Sequence, residues 1–224
     1  MRINCLSYIK ACQELIDVCL VLSFLNARCV TPTQTTAQSD IQFIEFKDDF
    51  IRARGIVDFA PLLPISIADI FVDWLSTKYP AYKQRTLRLQ LSHWLSGLTC
   101  FSLEDLFLSV GVQMDIIKQR EQTAAASRKL TYIQGMTSAS GHYGLTQLTD
   151  DYKKMRNDIV HEGVLSGTNF SGKSKKVCAD VTADTLNWLD NYVLAVLGID
   201  ANISNWPRWN GQDIERGLPA HSVR

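Results

Sequence analysis

Apolar side chains recur at intervals of three and four residues along most of the chain, which is typical of amphipathic α-helices. Residues 4 to 27 show this pattern first, with one stripe formed by Cys5, Ile9, Cys12, Ile16, Cys19 and Ser23. A polar, proline-containing run at residues 30 to 40 breaks the helix. Residues 41 to 46 alternate weakly and predict a short strand, which we expect to pair with residues 55 to 59.

Two helices are predicted between residue 66 and residue 98. Ser66 with Asp69 forms a capping pattern ahead of an apolar stripe, and the helix that begins there is expected to stop at Pro80. Residues 82 to 97 carry leucine and tryptophan at the same helical spacing. We expect these two helices to pack against each other as a hairpin.

The most regular helical pattern lies between residues 102 and 125, and Ser102 with Asp105 caps its start. Residues 126 to 141 are rich in Ser, Thr, Ala and Gly and are expected to form a loop. A further helix is predicted from about His142 to a C-terminal cap at Gly163. Its apolar stripe consists of Leu145, Leu148, Tyr152, Met155 and Ile159.

The final predicted helix begins at Thr182, which acts as its N-cap, and ends at Gly198. The tail at residues 200–224 has no periodicity. The chain is therefore expected to be an all-α helical bundle with an N-terminal helical extension and one short β element near residues 41 to 59.

The composition limits which partners the chain attracts through its overall charge. Lys and Arg total 23, and Asp and Glu also total 23, so no global field draws the chain to nucleic acid or to an acidic membrane. Binding of a polyanion must depend on a local cluster. The apolar run at residues 18 to 25 is much shorter than the roughly 20 residues of a membrane span, and the mixed charges before it do not fit a signal peptide.

The six cysteines do not suggest a metal site or disulfides. They include no CxxC pair and no zinc-ligand spacing near the four histidines. Cys5, Cys12 and Cys19 recur every seven residues, where free thiols act as small apolar side chains of a helix. The sequence therefore predicts a cytoplasmic protein that has no metal and no membrane contact.

The most informative stretch for function is "KMRNDIVHEG", residues 154 to 163. On a helix, Asn157 and His161 share a face roughly opposite the apolar stripe, and Arg156 lies beside the stripe with a stem long enough to bend outward. A core histidine would lie on the stripe, so the competing interpretation of His161 is a solvated surface residue. Arg156 and His161 are about 140° apart on an ideal helix.

The run from Arg156 to His161 resembles the R-N-x-x-x-H signature of the higher eukaryote and prokaryote nucleotide-binding (HEPN) family. The family fold is all-α, and its signature lies near the end of a long helix that is followed by a polar loop and a final amphipathic helix. The resemblance covers residues 101–199. The residues before the signature also resemble the Apea-like branch. Residues 1–100 would then form an N-terminal extension and residues 200–224 a tail.

The resemblance implies metal-independent cleavage of RNA, without a cofactor, by a homodimer in which the 142–163 helices of two protomers meet. His161 would exchange protons with the ribose 2′-OH and the leaving 5′ oxygen. Arg156 would hold the scissile phosphate, and Asn157 would orient His161 or donate to the phosphate. The implied products are 2′,3′-cyclic phosphate and 5′-hydroxyl ends. The implied setting is phage defence or a toxin-like system, with an antitoxin or a larger defence complex as a further partner.

Several lysines near the signature are candidates for RNA phosphate contacts, although a solvated loop is the competing interpretation. They are Lys153, Lys154, Lys173, Lys175 and Lys176. Glu104 and Asp115 precede the signature, where family members often carry an acidic residue; the sequence does not say which of the two, if either, faces the site.

Two other interpretations compete with a nuclease. One is a HEPN-like module without activity that serves in binding or dimerisation; inactive members usually lose the Arg or the His, and this chain keeps both. The other is an all-α interaction domain with a chance match to the signature, in which Arg156 would simply pair with an acidic neighbour. Neither HExxH nor a phosphate-binding P-loop is present in the sequence.

Overall fold

The computed structural model describes residues 5–26, 29–35, 41–46, 77–98, 100, 102–125 and 129–199. Over these residues the chain forms seven helices and one β-hairpin, and the prediction of an all-α bundle with a short β element is confirmed. The elements are α1 (Cys5–Asn26), β1 (Cys29–Thr35), β2 (Ile41–Phe46), α2 (Tyr79–Gln84), α3 (Leu87–Leu98), α4 (Leu103–Ala124), α5 (Tyr132–Tyr143), α6 (Asp151–Glu162) and α7 (Lys175–Leu197).

Helix α4 lies at the centre of the bundle and packs against α3, α5, α6 and α7. Ser102 caps it by accepting a hydrogen bond of 3.0 Å from the Asp105 N–H, as the sequence predicts. Its buried apolar side chains are Leu106, Phe107, Val110, Met114 and Ile117. Each such side chain contributes about 1.5–3 kcal/mol when buried. The predicted stripe therefore faces the core.

The helices before residue 100 share this core. Phe24 of α1 meets the Trp94 ring of α3 edge-on, with 5.1 Å between ring centroids. The Trp94 indole N–H donates to Asp190 of α7 at 2.8 Å. One continuous apolar cluster runs from α1 to α7.

A buried carboxylate ties α1 to α2 and α3. Asp17 accepts hydrogen bonds from the hydroxyls of Tyr79 and Tyr82, at 2.8 and 2.7 Å, and two from the Arg88 guanidinium, at 2.6 and 2.7 Å. Burial alone would raise the pKa of Asp17, but the bonds from Arg88 and the two tyrosines hold it below its ordinary value.

The hairpin confirms the strand at residues 41 to 46 and gives it a partner that the sequence did not predict. β2 pairs antiparallel with β1, with Cys29 opposite Phe46 and Thr35 opposite Ile41. The register shifts between Pro32 and Gln34, next to a proline that has no N–H for the ladder. The helix ends at Asn26, before the run at residues 30 to 40, as predicted, but the sequence did not predict that this run contributes to a strand. Residues 55–59, the predicted partner, lie outside the described residues.

The helix predicted from residue 66 falls largely outside the described part of the chain. The helical hairpin that it was expected to form with the next helix therefore falls outside it as well. Pro80 does not stop a helix; it occupies the first turn of α2, where its missing N–H costs nothing. The helix predicted at 82 to 97 is divided by a turn at Arg85 and Thr86. Thr86 has a φ of 59°, which a continuous helix does not allow.

Residues 126 to 141 were expected to form a loop, and this prediction was wrong for most of them, because α5 begins at Tyr132. The Thr131 hydroxyl accepts from the Gln134 N–H, and the Gln134 side-chain oxygen accepts from the Thr131 N–H; together these bonds form a capping box. The small residues let α5 approach α4 closely. A Cβ on Gly135 would lie 2.8 Å from Cγ of Lys118.

The helix predicted from His142 begins only at Asp151. His142 belongs to the last turn of α5, which ends at Gly144 with a φ of 66°, and residues 145–149 have no regular structure. Gly163 ends α6 with a φ of 74°, as predicted. The apolar positions keep helical spacing across residues 145–149 and α6, so the spacing did not indicate that the first of these segments is not helical.

Helix α7 begins about two turns before the predicted start. Ser174 is its N-cap and accepts from the Val177 N–H at 3.3 Å. Thr182, the predicted cap, lies inside the helix, where its hydroxyl donates to the Cys178 carbonyl at 2.8 Å. Gly198 ends the helix, as predicted.

Candidate functional site

Arg156 lies on α6 where this helix packs against α4. Its Nη2 donates to Oδ2 of Asp115 at 2.7 Å. About 24% of the Arg156 side chain and 43% of the Asp115 side chain are exposed. Of the two acidic residues that the sequence left open, Asp115 therefore reaches the signature, whereas Glu104 lies in the first turn of α4, three turns away.

A tyrosine ring from α5 supports the same guanidinium. The Arg156 Cζ lies 5.4 Å from the centroid of the Tyr132 ring, within the range of a cation–π contact. The Tyr132 ring packs in turn against Tyr152, one turn before Arg156 on α6, with 5.6 Å between centroids. Burial raises the pKa of the Tyr132 hydroxyl, so this ring stays neutral. Three helices thus fix the position of Arg156.

Asn157 and His161 lie toward the outside of α6. Asn157 is half-buried, and its Oδ1 accepts a long hydrogen bond of 3.4 Å from Arg156 Nη1. His161 is exposed in the last turn of α6, and its imidazole has no hydrogen-bond or ion-pair partner among the residues that the structure describes. The structure thus joins Arg156 and Asn157 by a hydrogen bond, while no side-chain hydrogen bond or ion pair in the described part of one protomer joins His161 to either of them.

Asp158, between these residues, is a structural residue that the sequence analysis missed. Its buried carboxylate accepts from the backbone N–H groups of Gly167 (2.8 Å), Asn169 (2.9 Å) and Phe170 (2.7 Å), and from the Asn169 side chain (2.7 Å). Burial alone would raise the pKa of Asp158, but these donors lower it below its ordinary value. In the sequence, Asp158 lies beside the apolar stripe and just before a loop rich in Gly and Ser, and this position could have indicated its structural role.

The same loop is held at a second point on α6. The Glu162 carboxylate accepts from the Thr168 N–H at 3.1 and 3.2 Å. Phe170, which belongs to this loop, has a buried side chain. The segment that follows His161 is therefore anchored to the signature helix by two carboxylates one turn apart.

The lysines expected to bind RNA occupy two places, the first half of α6 and the region around the start of α7: Lys153, Lys154, Lys173, Lys175 and Lys176. Lys154 pairs with Asp151 at 3.3 Å and Lys176 with Asp180 at 2.8 Å. Lys173 lies over the Phe170 ring, with Nζ 5.7 Å from its centroid. Two of the five ammonium groups thus already have a carboxylate partner.

The described residues contain neither a cluster of metal-binding side chains nor a helix that could span a membrane. No group of three or more His, Cys, Asp or Glu side chains there is arranged to hold a metal ion. None of the helices in that part of the chain is long and apolar enough to cross a membrane.

Comparison with protein-family models, with curated proteins and with solved structures finds no match to this chain. The resemblance to the HEPN family therefore depends on the signature residues and on the order of the helices around them. In that order α4 precedes α6, with α5 between them, and α7 follows after the anchored loop.

Proposed function

We propose that this chain is a cytoplasmic, metal-independent endoribonuclease that acts as a homodimer. It cleaves RNA through attack of the ribose 2′-OH and leaves 2′,3′-cyclic phosphate and 5′-hydroxyl ends. The observation that carries the proposal is the pairing, on one helix, of a partly exposed guanidinium held by two other helices with an exposed imidazole. The setting we propose is phage defence or a toxin-like system, with an antitoxin or a larger complex as a further partner.

His161 supplies the proton transfers in this proposal. Histidine accepts and donates protons near neutral pH, so one imidazole removes the 2′-OH proton and another protonates the 5′ oxygen as it leaves. Arg156 stays charged at every working pH and binds the scissile phosphate more strongly as negative charge builds up. The lysines at both ends of the signature region add phosphate contacts.

The helix geometry supports the proposal of a dimer. Arg156 and His161 are five residues apart, about 140° around the helix axis, which is unsuited to one compact site within a protomer. Two signature helices that face each other across a twofold axis bring two copies of each side chain to one cleft.

The ion pair between Arg156 and Asp115 favours a second candidate, a HEPN-like module without activity that serves in binding or dimerisation. An arginine that is occupied by an acidic neighbour is also what a chance match to the signature predicts. The pair is partly exposed, however, and exposed pairs contribute only about 0–1 kcal/mol. A contact between a guanidinium and a phosphate is stronger than such a pair. An RNA phosphate can therefore replace the Asp115 carboxylate as the partner of Arg156 at little cost in free energy.

Purified protein incubated with total RNA in EDTA tests the proposal. We expect cleavage by the wild type, loss of cleavage in His161→Ala and Arg156→Ala, and retention in His93→Gln, which removes an imidazole of α3. Circular dichroism confirms that each variant folds, and analytical ultracentrifugation measures the dimer. Cleavage that survives both α6 substitutions would refute the site. An inactive but dimeric wild type would favour the binding module.

A further inference from the structure

A groove lies between the irregular segment at residues 144–149 and one face of α7. Its volume is about 530 Å³, within the range of small-molecule sites. The α7 wall presents Val181, Asp184, Thr185, Trp188 and Asn191, the spacing of a single helix face. Such a face normally packs against another helix, whereas here the irregular segment covers it only in part.

Tyr152 of α6 also lines this groove. The residue is only 2% exposed, and its hydroxyl meets no hydrogen-bonding group among the described residues. Buried hydroxyls are nearly always paired, so an unpaired one beside a cavity marks a position where a ligand atom would be stabilised. Tyr132, whose hydroxyl is also buried and unpaired within the described part of the chain, does not line the groove.

The chemistry of the walls defines the ligand. Three side-chain amides, from Gln147, Asn187 and Asn191, line the groove, and an amide carries a donor beside an acceptor. The Asn191 NH₂ group also donates to the Asn187 backbone carbonyl at 2.8 Å. The apolar surface comes from leucine, valine and the Trp188 ring. Among the lining residues that the structure describes, Asp184 is the only charged one, and none is Lys, Arg or His.

We propose that this groove binds an unphosphorylated nucleoside. Amide side chains match the paired donors and acceptors on base edges, and apolar walls accept the flat faces of a base. Among the described lining residues no Lys, Arg or His is present to bind a phosphate, so the site favours the unphosphorylated nucleoside over the nucleotide. Tyr152 lies one turn before Arg156, but the groove is distinct from the proposed ribonuclease centre, because Arg156, Asn157 and His161 are not among its lining residues. It does not depend on the proposed activity.

Isothermal titration calorimetry with adenosine, guanosine, cytidine and uridine tests the site, with the matching 5′-monophosphates as counter-probes. We expect at least one nucleoside to bind with a Kd below about 1 mM, and its monophosphate to bind at least about tenfold more weakly. Tyr152→Phe should weaken the nucleoside about fivefold, the effect of one neutral hydrogen bond, without loss of thermal stability. Asp184→Asn should reduce the difference in binding affinity between the nucleoside and its monophosphate.

Tyr132→Phe is the matched control, because it removes a buried, unpaired hydroxyl outside the groove and should leave nucleoside affinity unchanged. The inference is overturned if no nucleoside binds at millimolar concentration. It is also overturned if the monophosphate binds as tightly as the nucleoside, or if Tyr152→Phe binds like the wild type.

Discussion

Replacement of Asp158 by Asn tests the claim that one buried carboxylate anchors the loop after the signature. Each carboxylate oxygen accepts two of the four hydrogen bonds: Oδ1 accepts both bonds from Asn169, and Oδ2 accepts from Gly167 and Phe170. Asn keeps one oxygen and puts an NH₂ group at the other position. In either orientation of the Asn amide, its NH₂ group then faces two of the four N–H donors and cannot accept a hydrogen bond from them.

The expected loss of unfolding free energy in Asp158→Asn follows from these four hydrogen bonds. A hydrogen bond to a charged group contributes about 1.5–3 kcal/mol, so the loss of two gives about 3–6 kcal/mol. A typical domain has about 5–15 kcal/mol of stability, and Asp158→Asn should therefore remove a large share of it. Asp151→Asn is the matched control, because this aspartate of the same helix is partly exposed and its surface pair with Lys154 contributes at most about 1 kcal/mol.

Urea denaturation followed by circular dichroism measures both free energies of unfolding. An Asp158→Asn cost below about 1 kcal/mol, or one equal to that of Asp151→Asn, would refute the anchoring role. Amide hydrogen exchange at residues 167–170 provides a second reading, since these N–H groups should lose protection in Asp158→Asn alone.

The same carboxylate should make the fold sensitive to acid. The folded pKa of Asp158 is depressed, so its stabilisation is complete above the ordinary value of about 3.9 and is lost as pH falls through the folded value. The pKa of Asp17 shifts in the same direction. Urea denaturation from about pH 7 to about pH 3 should therefore show stability falling below about pH 4, and falling less in Asp158→Asn. Equal acid sensitivity of the two proteins would contradict this assignment.

The remaining predictions concern α5. Gly135→Ala should destabilise the protein by about 1–3 kcal/mol in thermal unfolding, because its Cβ would press on Lys118, whereas Gly141→Ala, with nothing within 4 Å, should be neutral or stabilising by up to about 1 kcal/mol. Thr131→Ala should cost about 1 kcal/mol of unfolding free energy through loss of the capping box, and no measurable cost would refute that cap. In the RNA cleavage assay, Tyr132→Leu should lower the rate at least about tenfold by removing the ring under Arg156, while Tyr132→Phe should retain it; equal rates would contradict the support.

The sequence by itself determined the helices whose signals are contiguous. Ser102 and the stripe that follows it gave α4 to within a residue or two, and Gly163 and Gly198 marked the ends of α6 and α7. These features depend on side chains within a few residues of each other, so periodicity and capping patterns report them directly. The R-N-x-x-x-H pattern of the candidate site belongs to the same class of local information.

Only the tertiary structure decided what surrounds that pattern. Asp115 and Tyr132 reach Arg156 from 41 and 24 residues away along the chain, and Asp158 meets a loop that folds back over α6. Helix α5 was missed because its small residues weaken the apolar periodicity, although they permit its close approach to α4. Local sequence sets the propensity and the face of a helix, whereas the path of the chain sets which distant groups meet, because such contacts depend on how all the helices pack together.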